Sequence, residues 1–338
     1  MKSIAVFNNK GGVGKTTFLC NLGACLRILK DKKIVVIDAD PQANATTYVL
    51  NETKIFDIYS KVSLQGTLND IFKELRRTGY YHTKELPIIK SDRFEFDLIP
   101  GDPSISLFED FLSKDWFDSI NGEARALRTT LIFKDLNSKL EELGYDYALY
   151  DVGPSLGAIN RSVLIAADYF ILPMASDIFS LRAIDNIKAS LKNWGESFQK
   201  GLSQYQLNEG EAFKINDGEV EFNLSFLGYI TQQYLTKTRD GKKVAVNAYE
   251  KIIKQIPSAI IANLAPENSL LNNTEFKLGE IPNLHSLVPM SQSANAPIFK
   301  LTADDGVVGA HFSKVKEYGA AIDLITDRIL NNIKKYND

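Results

Sequence analysis

The chain has 338 residues, of which 44% are hydrophobic and 24% are charged, and its formal net charge is −3. This composition excludes a disordered or fibrous chain and leaves enough apolar residues for a large core. The small net charge excludes a polycation, so any contact with nucleic acid must come from a local basic patch.

The cysteines and the N-terminus indicate a cytoplasmic protein. Cys20 and Cys25 lie five residues apart in a predicted helix and therefore point to different faces, which disfavours a disulfide and matches no metal-ligand spacing. Sparse, unpaired cysteine is typical of a reducing compartment. The first twelve residues do not resemble a signal peptide, and no run of 18 apolar residues predicts a membrane span.

Short apolar runs alternate with helical patterns along the chain. The runs that predict buried strands are 4–7, 33–37, 94–99, 147–152, 169–174, 222–230 and 276–281. The stretches that predict helices include 16–29, 67–77, 130–143 and 181–194. Apolar strands alternating with amphipathic helices predict an α/β fold, with a mainly parallel, doubly wound sheet covered by helices on both faces. We expect one domain over 1–338, with polar surface excursions at 51–92 and 197–221.

The strongest motif is Asn-Asn-Lys-Gly-Gly-Val-Gly-Lys-Thr-Thr at residues 8–17, between the first strand and the first helix. This is the position of a phosphate-binding P-loop. Glycines let backbone N–H groups converge on phosphates, and the helix N-terminus adds partial positive charge. Lys15 is expected to reach the β- and γ-phosphates, the Thr16 hydroxyl to bind Mg²⁺, and Thr17 to reach the α-phosphate region. The motif predicts nucleotide binding by Gly11, Gly12, Val13, Gly14, Lys15, Thr16 and Thr17, and the family resemblance given below adds Lys10.

Three carboxylates follow predicted strands. Asp38 and Asp40 lie at the end of the second strand, and Pro41 forces a turn directly after them. Carboxylates at the C-terminal ends of parallel strands lie beside the ligand crevice, so one is expected to support Mg²⁺ and the other to meet the attacking water. Asp151 ends another apolar strand, which is the Walker B arrangement that holds Mg²⁺ through water.

The string NNKGGVGKTT resembles the ParA/MinD family of deviant Walker A P-loop ATPases, in which a lysine directly precedes the Gly-Gly pair. Lys10 matches that lysine, and the resemblance implies that it reaches across a dimer interface to the partner's nucleotide. The sequence DADPQANAT at 38–46 resembles the family's first switch, which implies that Asp40 positions the hydrolytic water and Asp38 supports the Mg²⁺ shell. The sequence DVGPS at 151–155 resembles the second switch, except that Gly153 replaces a proline.

Further similarity covers most of the chain, including 67–71, 96–100, 166–173, 279–283 and 305–309. It implies that Pro282 and Asn283 border the adenine, together with Gln232 at the end of the preceding strand. The implied catalytic residues are Lys10, Lys15 and Asp40, the metal-binding residues are Thr16, Asp38 and Asp151, and the cofactors are ATP and Mg²⁺.

The resemblance implies an ATP hydrolase that forms a homodimer on binding ATP and helps to partition plasmid or chromosomal DNA. It further implies a nucleoid-associated protein that binds non-specific DNA, and a centromere-binding or adaptor protein that stimulates hydrolysis. The best basic stretch for DNA binding consists of Lys237, Arg239, Lys242, Lys243, Lys251 and Lys254.

The same motifs are compatible with two other functions found in this family. A ParA-like ATPase that positions a protein assembly, or acts in signalling or defence, would keep the same motifs without binding DNA. A MinD-like membrane regulator would need a basic amphipathic C-terminal helix, but the polar faces of the last helix are mixed in charge. Its apolar stripe predicts docking on the sheet rather than on a membrane; the stripe consists of Val315, Tyr318, Ile322, Ile325, Ile329 and Ile333.

Overall fold

The computed structural model describes residues 1–60, 66–78, 85–175, 178–216, 218–232, 238–239, 242–243, 247–266, 269–284 and 286–338. The strands are β1 (Lys2–Val6), β2 (Ile34–Asp38), β3 (Ile89–Lys90), β4 (Asp97–Ile99), β5 (Tyr147–Asp151), β6 (Tyr169–Met174), β7 (Lys214–Ile215), β8 (Gly218–Glu219), β9 (Ser225–Gln232), β10 (Thr238–Arg239), β11 (Lys242–Lys243) and β12 (Lys277–Ile281). The α-helices are α1 (Lys15–Ile28), α2 (Asn44–Val49), α3 (Glu52–Tyr59), α4 (Leu68–Thr78), α5 (Glu109–Ile120), α6 (Ala124–Thr130), α7 (Ile132–Glu142), α8 (Ala158–Ala166), α9 (Ile178–Glu209), α10 (Asn247–Leu264), α11 (Leu287–Ser293) and α12 (His311–Asn337). Short 3₁₀ helices lie at Pro103–Phe108, Ile298–Lys300 and Ala303–Asp305.

One large sheet organises the described part of the chain, with the strand order β12-β9-β6-β1-β5-β2-β4-β3. Its neighbouring strands are parallel except for β3 and β4. The central strands are buried along nearly their whole length, which is why they are apolar throughout rather than alternating. The predicted α/β fold with a mainly parallel sheet is confirmed.

Helices cover both faces of the sheet. On one face, α1 and α12 pack in a buried cluster with residues of β1 and β2. On the other face, the cluster includes residues of α4, α5, α7, α8 and α9. The predicted apolar stripe of α12 is buried, from Val315 to Ile333, and docks on the sheet. Within the described residues, no helix combines the length and apolar character needed to cross a membrane.

Two predicted intervals depart from the observed fold. The helix predicted over 181–194 continues to Glu209, so the first half of the predicted excursion at 197–221 is helical. Phe198 and Leu202 continue the four-residue spacing begun by Trp194 and are buried with it in the core. The interval 51–92 likewise reaches the core through α4, whose Ile71 and Phe72 are buried. Neither interval is therefore wholly a surface excursion.

Candidate functional site

The P-loop connects β1 to α1 at the C-terminal edge of the sheet. The fully buried Asn8 fastens it there, because its side-chain nitrogen donates to the Pro173 carbonyl at 2.7 Å and its side-chain oxygen accepts from the Lys10 N–H at 3.0 Å. Gly12 and Gly14 have φ angles of 73° and 74°. Only glycine adopts this left-handed conformation without a steric cost, so these two residues allow the loop its curvature.

Helix α1 begins at Lys15, directly after the loop, and no described side chain caps its first turn. The N–H groups of that turn have no acceptor within the helix and lie at the positive end of its dipole. Together with the loop N–H groups, they form the kind of helix N-terminus that binds phosphate.

Lys15 lies inside this loop. It is only 8% exposed, and its Nζ donates to the Lys10 carbonyl at 3.3 Å. Burial lowers the pKa of Lys15, and the charges of Asp151 and Asp40 partly offset that effect. A bound phosphate would place further negative charge beside the buried ammonium group and stabilise its charged form.

Asp38 and Asp151 lie side by side at the ends of β2 and β5, where the strand register pairs them directly. Both are 0% exposed. The backbone N–H and the hydroxyl of Thr46 donate to Asp38 Oδ2 at 2.8 and 2.7 Å, and the Thr16 hydroxyl donates to Asp151 Oδ2 at 2.7 Å. Within the part of the chain that the structure describes, Oδ1 of each carboxylate has no hydrogen-bond partner.

Burial of this carboxylate pair raises the pKa of both acids. Burial raises the pKa of Asp38 to about 7, although the Thr46 donors counter it. Burial also raises the pKa of Asp151 well above its usual range, and the neighbouring charge of Asp38 adds to the rise. A divalent cation bound next to the pair would stabilise the ionised forms and lower both pKa values.

The oxygen atoms at this point fit magnesium. The two Oδ1 atoms and the Thr16 hydroxyl are the hard oxygen donors that Mg²⁺ prefers. Among the described residues, no cluster of three or more Asp, Glu, His or Cys side chains forms a complete metal centre. A magnesium ion would therefore take its remaining ligands from water and from nucleotide phosphates, as is usual for this metal.

Asp40 has a different environment from Asp38. It is 7% exposed, lines the cleft beside the P-loop, and its Oδ1 accepts a hydrogen bond from the Gln42 N–H at 3.0 Å. The turn at Pro41 thus separates two acids of one motif, with one in the buried pair and one at the cleft surface. This placement is compatible with different roles for the two carboxylates.

The cleft has a volume of about 430 Å³ and is walled by P-loop residues 11–17 and Asp40. The sequence assigned no role to the other residues that line it, although three of them, Gln42, Asn44 and Pro154, lie within the two switch motifs. The other three are Thr47, Tyr48 and Gln292. Tyr48 and Gln292 become neighbours only through folding, where the Tyr48 hydroxyl lies 2.5 Å from Ser291 Oγ. For the α2 residues, closeness in sequence to the acidic motif was the one available signal.

The three predicted adenine-side residues do not line this cleft. Gln232 reaches the P-loop, where its Nε2 donates to the Val13 carbonyl at 3.2 Å. Pro282 is buried and Asn283 is half-buried in the segment after β12. The structure therefore brings Gln232 to the phosphate loop, and the adenine-side role of all three residues stays a prediction.

The predicted DNA-binding residues are described only in part. Lys237 lies outside the described residues. Arg239 and Lys242–Lys243 lie in the antiparallel pair β10–β11 and Lys251 lies in α10, but their side chains are not among those described. Lys254 is exposed on α10. The DNA-binding patch therefore stays a prediction.

Sequence comparison relates the chain to partition proteins. A family model described as an AAA domain matches residues 1–204. The sporulation initiation inhibitor protein Soj of Bacillus subtilis is 28% identical over 237 residues, which are 70% of this chain and 81% of Soj. The virulence plasmid ParA family protein pGP5-D of Chlamydia psittaci is 33% identical over 193 residues, which are 56% of this chain and 62% of that protein.

Structural comparison agrees with this relationship. The crystal structure of protein DIP2308 from Corynebacterium diphtheriae has a TM-score of 0.69 and 29% identity, and the match covers 87% of this chain and 97% of that one. Cobyrinic acid a,c-diamide synthase from Mycobacterium smegmatis shares the fold, with a TM-score of 0.50 and 18% identity over 76% of this chain and 82% of that one, and its two structures contain magnesium with ADP or an ATP analogue. The motif order, the sheet and these matches agree, and the chain therefore belongs to the ParA/MinD family of deviant Walker A P-loop ATPases, close to the ParA-type partition ATPases.

Proposed function

We propose that this chain is an ATP hydrolase that acts as an ATP-dependent dimerisation switch in the positioning of plasmid or chromosomal DNA. The observation that carries the proposal is the buried pair of Asp38 and Asp151 beside Lys15 and Thr16. Two adjacent buried carboxylates destabilise a fold, the more so when one oxygen of each lacks a hydrogen-bond partner among the described residues. A site that binds a cation and a polyphosphate accounts for that cost.

The P-loop and the buried acid pair supply nucleotide binding. Backbone N–H groups of residues 11–17 and the ammonium group of Lys15 bind the phosphates, with Thr17 toward the α-phosphate. Thr16, Asp38 and Asp151 hold Mg²⁺ directly or through water. When bound, the metal neutralises the charge that develops on the transferred phosphoryl group.

Turnover depends on Asp40 and Lys10. Asp40 lies at the cleft surface, where its carboxylate orients the attacking water. Hydrolysis then rests on positioning and charge stabilisation rather than on covalent chemistry. Lys10 is half-buried on the P-loop, and family membership supports its contact with the nucleotide of a second subunit.

The ATP-bound homodimer binds DNA without sequence preference, and a centromere-binding or adaptor protein stimulates hydrolysis. Similarity to Soj and to a plasmid ParA family protein supports this role. The same relationship supports a cytoplasmic, nucleoid-associated protein.

The test combines mass, hydrolysis and DNA binding on the full chain. Light scattering is expected to give a dimer mass with Mg²⁺ and a non-hydrolysable ATP analogue, and a lower mass without nucleotide. Anisotropy with a duplex of arbitrary sequence is expected to give analogue-dependent affinity, whose log–log salt slope is about −0.9 per phosphate neutralised. Replacing Lys242 and Lys243 by Glu is expected to weaken DNA binding and spare hydrolysis.

A charge-matched control replaces the exposed Lys192 and Lys200 of α9 by Glu and is expected to leave DNA binding unchanged. An unchanged mass with and without the analogue contradicts the switch. Dimerisation and hydrolysis without DNA binding at any salt concentration would instead identify a ParA-like ATPase that positions a protein assembly or acts in signalling or defence.

A further inference from the structure

The loop that follows Asp151 is held by hydrogen bonds from a side chain outside the phosphate site. Asn160 is 2% exposed and lies in the first turn of α8. Its Nδ2 donates to the carbonyl oxygens of Gly153 and Ser155, each at 2.7 Å. A carboxamide nitrogen has two hydrogens, one for each carbonyl, so Asn160 fixes both ends of this short loop.

The helix that carries Asn160 is itself anchored. The carboxylate of Glu109, at the start of α5, accepts hydrogen bonds from the backbone N–H groups of Ala158 and Ile159. A negative charge at this position also complements the positive end of the α8 dipole. The position of Asn160 is therefore set by α5 as well as by its own helix.

The anchored loop lies directly against Asp40. A Cβ atom placed on Gly153 would lie 3.2 Å from Oδ1, 3.4 Å from Cγ and 3.6 Å from Oδ2 of Asp40. A methyl group on residue 153 would thus be in tight contact with the Asp40 carboxylate, which would have to shift by a few tenths of an ångström to accept it. Its other described support is the Gln42 N–H.

We propose that Asn160 and Gly153 are positioning residues for Asp40. Asn160 holds the loop so that the backbone of Gly153 lies next to the Asp40 carboxylate. Because residue 153 has no side chain, nothing at that position displaces the carboxylate. The inference rests on the proposed function, in which Asp40 orients the attacking water. Misplacing a reacting group by about 1 Å costs on the order of 10²-fold in rate, so smaller displacements have measurable effects.

The test measures single-turnover hydrolysis and MgATP affinity for Asn160→Ala, Gly153→Ala and Asp40→Ala, and for each of the first two combined with Asp40→Ala. Asn160→Ala is expected to slow hydrolysis by about tenfold and Gly153→Ala by about threefold, both at parental MgATP affinity. In the Asp40→Ala background, neither change is expected to slow hydrolysis further, because the group on which both act is gone.

The matched control is Asn332→Ala. Asn332 is 3% exposed in α12 and also bridges two carbonyl oxygens, those of Leu227 and Glu275, at 2.9 and 3.1 Å. It is expected to lower the melting temperature as Asn160→Ala does while leaving hydrolysis at the parental rate. Gly153→Ala removes no hydrogen bond, so it keeps the test open if Asn160→Ala fails to fold.

Two outcomes overturn the inference in distinguishable ways. If Asp40→Ala slows hydrolysis by on the order of 10²-fold, but Asn160→Ala and Gly153→Ala slow the parent and the Asp40→Ala variant by equal factors, the two residues do not act through Asp40. If Asp40→Ala hydrolyses ATP at the parental rate, the role of Asp40 in the proposed function fails first and the positioning role fails with it.

Discussion

The floor and the rim of the cleft are built in different ways. The floor, defined as the cleft residues Lys15 and Thr16 together with the buried acids Asp38 and Asp151 next to them, follows directly from two parallel strands and the start of α1. The rim, defined as Asp40, Thr47, Tyr48, Pro154 and Gln292, comes from turns and helices that are distant in sequence. Strand register fixes the floor, whereas tertiary contacts fix the rim.

The contacts that hold the rim are long-range. The side-chain nitrogen of Asn295 donates to the carbonyl oxygens of Tyr48 and Leu50 at 3.1 and 2.9 Å, at the C-terminal end of α2. Ser291 meets the Tyr48 hydroxyl from the same segment. We therefore expect the two regions to have different functions, with the floor determining nucleotide affinity and the rim determining the rate of turnover. Variants of the floor and of the rim test that difference.

The largest expected effect is on the floor. Lys15→Ala is expected to weaken MgATP binding by about 3 kcal/mol, or on the order of 10²-fold in Kd, because the phosphates lose a buried cationic donor. Calorimetric titration measures it, and Lys200→Ala, an exposed lysine of α9, is the control. Parental affinity in Lys15→Ala would place the phosphates elsewhere.

The second prediction compares the two acids of one motif. Asp40→Ala is expected to slow single-turnover hydrolysis by on the order of 10²-fold while leaving MgATP affinity nearly unchanged, because its carboxylate acts on water. Asp38→Ala is expected to weaken MgATP binding itself, because it removes one of the buried pair beside Thr16. Rapid-quench hydrolysis and equilibrium binding on both variants separate the effects. Equal loss of affinity in both would erase the distinction between floor and rim.

The floor could be predicted from the sequence because its parts lie at the ends of local elements. A glycine-rich turn between a strand and a helix places Lys15 and Thr16, and apolar strands that end in acid place Asp38 and Asp151. Parallel strands bring those ends to one edge, so the motif and the fold gave the same answer.

The rim could be predicted only in part. Asp40 and Pro154 lie in motifs that follow strand ends, whereas nothing near Gln292 in the chain signals its approach to the cleft. The adenine-side prediction at Pro282 and Asn283 rested on resemblance alone, and it stays a prediction. The strand predicted over 94–99 begins only at Asp97 because Glu95 adopts a left-handed φ of 64°. The length of α9 was missed because polar residues separate its last buried positions.

A third, smaller effect is expected at the subunit interface. Lys10→Ala is expected to weaken the analogue-bound dimer by about tenfold, the scale of one charge-assisted contact, and to slow hydrolysis while sparing nucleotide binding to one subunit. Analytical ultracentrifugation over a range of concentrations measures it. A dimer of parental strength would remove Lys10 from the interface.

The smallest expected effect on nucleotide binding tests Thr46, which lies in the rim helix α2 but donates a hydrogen bond to Asp38 of the floor. Thr46 is 0% exposed, and its hydroxyl donates to Asp38 Oδ2 at 2.7 Å and accepts from the Gly101 N–H at 2.8 Å. Thr46→Val keeps the shape and removes both bonds, while the Thr46 N–H still donates to Asp38. A loss of about 2 kcal/mol in the free energy of unfolding is expected, because a buried donor and a buried acceptor lose one partner.

The effect of Thr46→Val on binding decides whether Thr46 acts through Asp38. With one donor fewer, the carboxylate is held less firmly, and MgATP affinity is expected to fall by about threefold, with the single-turnover rate at saturating ATP unchanged. Thr326→Val is the control, since Thr326 is equally buried in α12 and its hydroxyl donates to the Ile322 carbonyl at 2.7 Å, away from the cleft. Denaturant unfolding and titration with MgATP measure the two quantities. If Thr46→Val instead slows hydrolysis at parental MgATP affinity, Thr46 acts on the rim by positioning α2. The floor then does not depend on the hydrogen bond between Thr46 and Asp38.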